Sequence, residues 1–239
     1  MKLAVDWERR RRRKREVAER AAEPNHMYAY CRVIGCGKPA RAGTSDGLDT
    51  RFCRSHAEHL QRHGSAFKRS YTAAELTPYR RAALEWLEAN PDLHWVKNAV
   101  QRVEALYQQA GAHVEAFRLR GLDPRERAWK HWARLRKAEV DPRRVVAAWL
   151  AVEMIIAADP QPVRTAEFKR VQAAKLVHRM ASGTHRRWER ERPATSGPAV
   201  MVVEERHWYP RSRGRVLRYV GEDLEGAAEL LVEHHLKNR

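Results

Sequence analysis

Cys31, Cys36, Cys53 and His56 constrain this chain more than any other feature. They read Cys-x4-Cys, a sixteen-residue gap, then Cys-x2-His, and they take up all three cysteines of the 239-residue chain. An odd cysteine count argues against a disulfide framework. Thiolates and an imidazole together suit Zn²⁺, which takes four such ligands in a closed tetrahedron when its role is structural. A segment this short cannot build a core of its own, and bound zinc replaces one at a gain on the order of 10 kcal/mol. The pattern therefore predicts one structural Zn²⁺ held by Cys31, Cys36, Cys53 and His56, and reduced thiols place the chain in the cytoplasm, nucleoid-associated in a bacterial cell.

Local sequence predicts how the four ligands meet. Gly35, Gly37, Pro39, Gly43 and Gly47 crowd the first half, where a turn around a metal needs unusual backbone angles. RSHAEHLQRHG, from Arg54, reads as a helix that Gly64 ends. Cys53 and His56 then lie three residues apart at its start, on one face. His59 and His63 are rivals for the fourth position. His56 is preferred because Cys-x2-His at a helix start brings both side chains to one point, whereas His63 reads as a phosphate contact or a helix-end charge.

The charge balance names the class of partner. Against 30 Asp and Glu stand 47 Lys and Arg, a net charge of +17 and a pI near 10.4. That is the electrostatic footprint of a protein that meets polyanions, with DNA the leading expectation and RNA the alternative. Three regions carry it. Arg9, Arg10, Arg11, Arg12, Arg13, Lys14 and Arg15 form an unbroken basic run in a charged arm, residues 1–27. Arg54, Arg62, His63, Lys68 and Arg69 surround the finger, residues 28–70. Arg186, Arg187 and Arg190 lie in a basic segment towards residue 192, and Arg211, Arg213 and Arg215 in a turn beyond it. No membrane partner is expected: the longest apolar stretch, residues 145–158, contains Glu153 and is too short to span a bilayer.

Periodicity predicts a mainly α fold. Thr77-Pro78 reads as a helix start running to Asn90-Pro91, residues 93–110 as a second helix, Asp123-Pro124-Arg125-Glu126 as the capped start of a third, residues 142–158 as an apolar and central fourth, and residues 166–182 as a fifth capped by Thr165. Together they make a helical domain over 71–192, into which Trp132 and Trp129 pack. Residues 193–239 read as a break at 193–198, a strand at 200–203, a turn at 210–214, a second strand at 216–220 and a helix over 224–236, in the manner of a winged helix.

CRVIGCGKPARAG…RFCRSHAEHLQRHG, residues 31–64, resembles the small Cys-x4-Cys…Cys-x2-His zinc fingers of bacteriophage and mobile-element proteins, some fused to HNH-type homing endonucleases. The resemblance implies a finger that helps hold DNA and a DNA-binding accessory protein of such an element, working with a larger enzyme or complex in recombination, replication or transcription. The middle, residues 41–51, is longer here than in that pattern. A metal-dependent nuclease and an RNA-binding or RNP-assembly protein are the alternatives. The reading leans away from an enzyme. His94, His131, His178 and His185 are scattered, His234-His235 sit beside Glu233 on the final helix, and no Walker loop, GxSxG or paired carboxylates appear in context.

Overall fold

The computed structural model describes residues 2–22, 30–44, 47–181, 183–192, 200–210 and 214–235. Along these the chain runs α1 (Lys2–Ala22), β1 (Ala42–Thr44), β2 (Gly47–Asp49), α2 (Arg54–His63), α3 (Ala73–Ala89), α4 (His94–Gln109), a short 3-10 turn (Ala116–Gly121), α5 (Pro124–Lys137), α6 (Pro142–Ala158), α7 (Ala166–His178), β3 (Thr184–Arg192), β4 (Val200–Trp208) and α8 (Arg215–His235). The fold is mainly helical, with two small antiparallel hairpins among the described residues.

Short polar side chains set the helix starts. Asp123 and Glu126 form a reciprocal capping box at α5, Asp141 caps α6 through the Arg143 amide, and Thr165 caps α7 through the Phe168 amide. At α3 the expected start is displaced. Thr72 and Glu75 make a capping box, so the helix begins at Ala73 and Pro78 lies inside it. The reciprocal bonds satisfy two free amides at once, and Pro78, the sixth helical residue, forfeits one amide bond to the carbonyl of Ala74 in the second turn. Helix α7 stops at His178, four residues before its expected end.

Helix α6 is the central rod, as its all-round apolar sequence requires. Trp149, Leu150, Val145, Val146 and Val152 are buried among α3, α4, α7 and α8. Trp132 on α5 is fully buried, and its indole N–H donates to Asp223 on α8 at 2.9 Å. Trp129 is partly buried against the same core.

The C-terminal part departs from expectation. The segment 216–220 is not a strand; it opens α8. Val216, Leu217, Val220, Leu224, Ala227, Ala228, Leu231 and Val232 are all buried, a helical repeat of three and four residues. Read alone, Val216 to Val220 looks like a short apolar strand, and only the continuation to Val232 shows the period. The partner of β4 is β3, paired from Thr184↔Trp208 to Arg192↔Val200. The basic run that includes Arg186, Arg187 and Arg190 is therefore a strand, not a turn closing the helical domain. The expected break at 193–198 lies outside the described residues.

Candidate metal centre and basic surfaces

The four predicted ligands meet. Cys31 lies at the start of a knuckle closed by its own amide, which donates to the Lys38 carbonyl at 2.9 Å, and by the Cys36 amide, which donates to Val33 at 3.0 Å. Gly35 takes a φ of 79° at the tip, a left-handed angle that a side chain would resist. Hairpin β1–β2, formed from the long middle segment, returns the chain to Cys53. Cys53 is the N-cap of α2 in extended conformation, so its side chain leaves the helix and faces the knuckle, while His56 follows in the first turn.

The donor atoms form a compact set. Cys31 Sγ is 3.2 Å from His56 Nδ1, Cys53 Sγ is 3.5 Å from the same nitrogen, and Cys36 Sγ is 4.0 Å from Cys53 Sγ. One ligand atom from each of the four residues lies within 4.8 Å of the others. The thiols are free, and the cluster can hold one metal ion. Burial opposes ionisation of Cys31, yet the Cys53 and Val33 amides and the His56 ring bring its thiol down to about 7. Cys36 moves up. The Lys38 amide favours its thiolate, but burial and the Cys31 and Cys53 thiols outweigh it. Without a cation, further negative charge among these sulfurs is resisted.

The packing of the module gives an independent test of fit. Between residues 30 and 66 the buried apolar residues, among those described, are Cys31, Ala40, Ala42, Cys53, Ala57 and Ala66. Alanines and thiols bury too little surface to hold a knuckle, a hairpin and a helix together. The residues present suit a metal in place of a core.

Both rival histidines are engaged elsewhere. His59 Nδ1 donates to the Ser65 carbonyl at 2.8 Å. His63 Nδ1 accepts the Ser70 amide at 3.0 Å. Burial, with Lys175, His59 and Arg62 nearby, pushes His63 down to about 4. A pKa that low leaves the ring uncharged near neutral pH, so His63 does not supply the helix-end charge expected from its position.

Helix α2 is docked on the helical body through these polar groups. Gln172 of α7, 1% exposed, donates to the His63 carbonyl at 2.8 Å and accepts the Tyr71 amide at 3.3 Å. Arg218 of α8 bridges Glu167 and the Leu60 carbonyl. On its other side the finger meets α1. Gly43 of β1 faces Val17 and Ala18, and Val17 Cγ1 would stand 3.5 Å from a β-carbon there.

The basic residues divide by their partners. Arg9, Arg10, Arg11, Arg12, Arg13, Lys14 and Arg15 are exposed along α1, with Arg12 beside Glu16 at 3.1 Å. Arg54 and Arg62 are exposed and share Glu58 at 3.3 and 3.8 Å, pairs of a kind that contribute about 0–1 kcal/mol. Lys68 differs from these. It is mostly buried, paired with Asp159, and donates to the Gln161 carbonyl at 2.6 Å. Arg69 pairs with Glu75 at 3.0 Å, Arg186 with Glu115 at 2.6 Å, and Arg190 with Glu204 at 3.9 Å. Arg187 is exposed on β3 and Arg215 at the start of α8. Arg211 and Arg213 lie outside the described residues.

The scattered histidines other than His185 pack against other rings. His234 stacks on Trp95 with centroids 4.3 Å apart, and His235 tilts against Trp86. His131 and His178 stack on each other at 5.0 Å inside the body. Sequence reading missed the grouping of His185 with Glu205 and His207, which β3–β4 pairing brings together. Its only sequence signal is alternation along one strand, since the register across the hairpin is not written locally. No helix among the described residues is long and apolar enough to cross a membrane. No family model matches the chain, and neither a characterised protein nor a solved structure matches it.

Proposed function

We propose that this protein is a zinc-containing nucleic-acid-binding protein whose main contact is the basic run of α1, set in place by the finger. The zinc assignment rests on donor chemistry and spacing. A tetrahedral ion with bonds of about 2.3 Å to sulfur and about 2.0–2.1 Å to nitrogen separates its ligands by about 3.8 Å (S···S) and about 3.6 Å (S···N). The separations here are 4.0 Å for Cys36–Cys53 and 3.2 and 3.5 Å for His56 with its two sulfurs. Zinc supplies folding energy to the module and no chemistry, since four protein ligands leave no open position.

The observation that carries the nucleic-acid reading is the unbroken exposed run from Arg9 to Arg15 on a helix that lies against β1 and β2. Seven adjacent cations repel one another, and phosphates relieve that repulsion better than water does. Lys68 is mostly buried against Asp159, whereas the seven cations of α1 and Arg54 and Arg62, which share the single carboxylate of Glu58, are exposed and outnumber their acidic neighbours, so α1 with Arg54 and Arg62 forms the strongest surface for a polyanion. Duplex DNA is the proposed partner, in keeping with the resemblance of residues 31–64 to fingers of phage and mobile-element proteins. An accessory role beside a larger enzyme of such an element follows from that resemblance.

The test is binding of the full-length protein to a labelled duplex across a salt series. The log–log slope should be steep, about −0.9 per phosphate contacted, and should flatten by several units when residues 9–15 are neutralised to glutamine. A flat salt response in the unaltered protein would sink the proposal, and tighter binding to structured RNA than to a matched duplex would move it to the RNA class.

A further inference from the structure

We propose a second metal site on the outer face of the β3–β4 hairpin, formed by His185, Glu205 and His207, which takes an exchangeable divalent transition ion such as Zn²⁺, Ni²⁺ or Cu²⁺. His185 and His207 are direct cross-strand partners, so their side chains leave the same face of the ribbon. Glu205 lies two residues before His207 and therefore on that face too. A nitrogen of each ring and a carboxylate oxygen all fall within 4.8 Å of one another. The two Nδ1 atoms face each other in direct contact, and Glu205 Oε1 lies 3.6 Å from His207 Nε2. Imidazole and carboxylate form a donor set for borderline ions, unlike the thiolate-rich finger.

The surroundings favour a cation. The hairpin has two unlike faces. Thr184, Arg186 and Trp208 turn towards the body. There Thr184 Oγ1 accepts the Ala116 amide at 2.8 Å, Arg186 pairs with Glu115, and Trp208 packs on Phe117 at 5.1 Å. The opposite face carries His185, Arg187, Glu189 and Glu191 on β3, and Val203, Glu205 and His207 on β4, by alternation from the register. Three carboxylates oppose one arginine on that face, in a protein whose net charge is +17. Arg187, directly across from Glu205, is the competing cation.

The site has a definite chemical character. All three ligands are exposed, so the ion exchanges with solvent. Three protein ligands leave a position for water or an external donor, in contrast to the closed finger. The ion also clips β3 to β4 at the end of the ribbon nearest the body, and a two-stranded ribbon is marginally stable alone. Body contacts through Arg186 and Trp208 hold the two strands in register before the ion arrives.

The experiment uses full-length protein with its tightly held metal retained. Equilibrium dialysis against micromolar free Zn²⁺, read by elemental analysis, should give one equivalent beyond the finger's. H185A and H207A should each weaken that equivalent at least about tenfold, and the double variant H185A/H207A should abolish it while leaving the finger's metal in place. Glu205→Gln should weaken it less than either histidine change. With Cu²⁺ as probe, electron paramagnetic resonance should show coupling to two imidazole nitrogens that vanishes in the double variant. H94A, altering a histidine packed on Trp95, should change none of these readings. Equal extra binding by the unaltered protein and H185A/H207A, or no extra equivalent in the unaltered protein, would overturn the proposal.

Discussion

Gly64 ends helix α2 directly against Phe168 of α7: a β-carbon at Gly64 would stand 2.9 Å from the Phe168 Cα and 2.7 Å from the Glu167 carbonyl oxygen. The same glycine has a φ of 76°. One residue thus sets both the exit of the finger helix and its distance from the body. Gly64→Ala should cost about 2–4 kcal/mol, from left-handed strain and overpacking against backbone that cannot give way. Urea denaturation checks this, and an unchanged midpoint would contradict the close docking.

Removal of a metal ligand should unfold the finger and spare the body. Cys53→Ser should lose the bound metal, and amide exchange over residues 31–63 should accelerate sharply. The cluster around Trp132 and Trp149, whose burial owes nothing to the metal, should keep its fluorescence and its protection. Retention of a full equivalent of tightly held zinc in this variant would contradict the ligand assignment.

Acid should weaken the body before its carboxylates respond. Burial, aided by Arg134 and Arg179, pushes His178 down to about 4, and burial with His178 and Arg134 pushes its stacking partner His131 well down. Both are neutral in the fold, whereas an unfolded histidine takes up a proton near pH 6.5. Below that value the unfolded chain binds more protons, so stability is full above about pH 6.5 and falls as pH drops towards 4. For His178 the loss is roughly 3 kcal/mol. Asp159, held down to about 2 by Lys68 and Tyr71, adds its own loss as pH falls through the ordinary carboxylate value of 3.8 towards 2. Denaturation midpoints from pH 7.5 to 4.5 test the sign, and His178→Phe should flatten the curve.

Lys68 should behave as a structural residue. Its ammonium joins residue 68 to Asp159 at the end of α6, where the Tyr71 hydroxyl also donates to Asp159 at 2.5 Å. Lys68→Ala should destabilise by about 1–3 kcal/mol by leaving Asp159 short of a partner. It should leave the salt dependence of DNA binding unchanged, in contrast to changes within residues 9–15. A flattened salt slope in Lys68→Ala would return Lys68 to the interface.

Much of the architecture was legible because its signals are local. Asp123, Asp141 and Thr165 mark helix starts through bonds that span two or three residues, and the apolar run of α6 announces burial within its own length. The finger ligands were legible for the same reason, as pairs within a knuckle and within one helical turn. What failed was non-local. Val216 to Val220 is apolar in either conformation, and the strand opposite Val200 to Trp208 lies upstream, in a run of charged residues with no strand-like pattern of its own.

The sequence by itself determined the metal cluster, most helices and the cationic character, since these follow from short spacings and composition. Tertiary structure decided which cations face solvent and which histidines pack away from the metal-ligating cluster. Lys68 meets Asp159 across ninety-one residues, and His63 surrenders its charge because α7 buries it. Tertiary structure also set His185 opposite His207. Whether a side chain pairs, packs or binds depends on neighbours that the chain brings together only by folding.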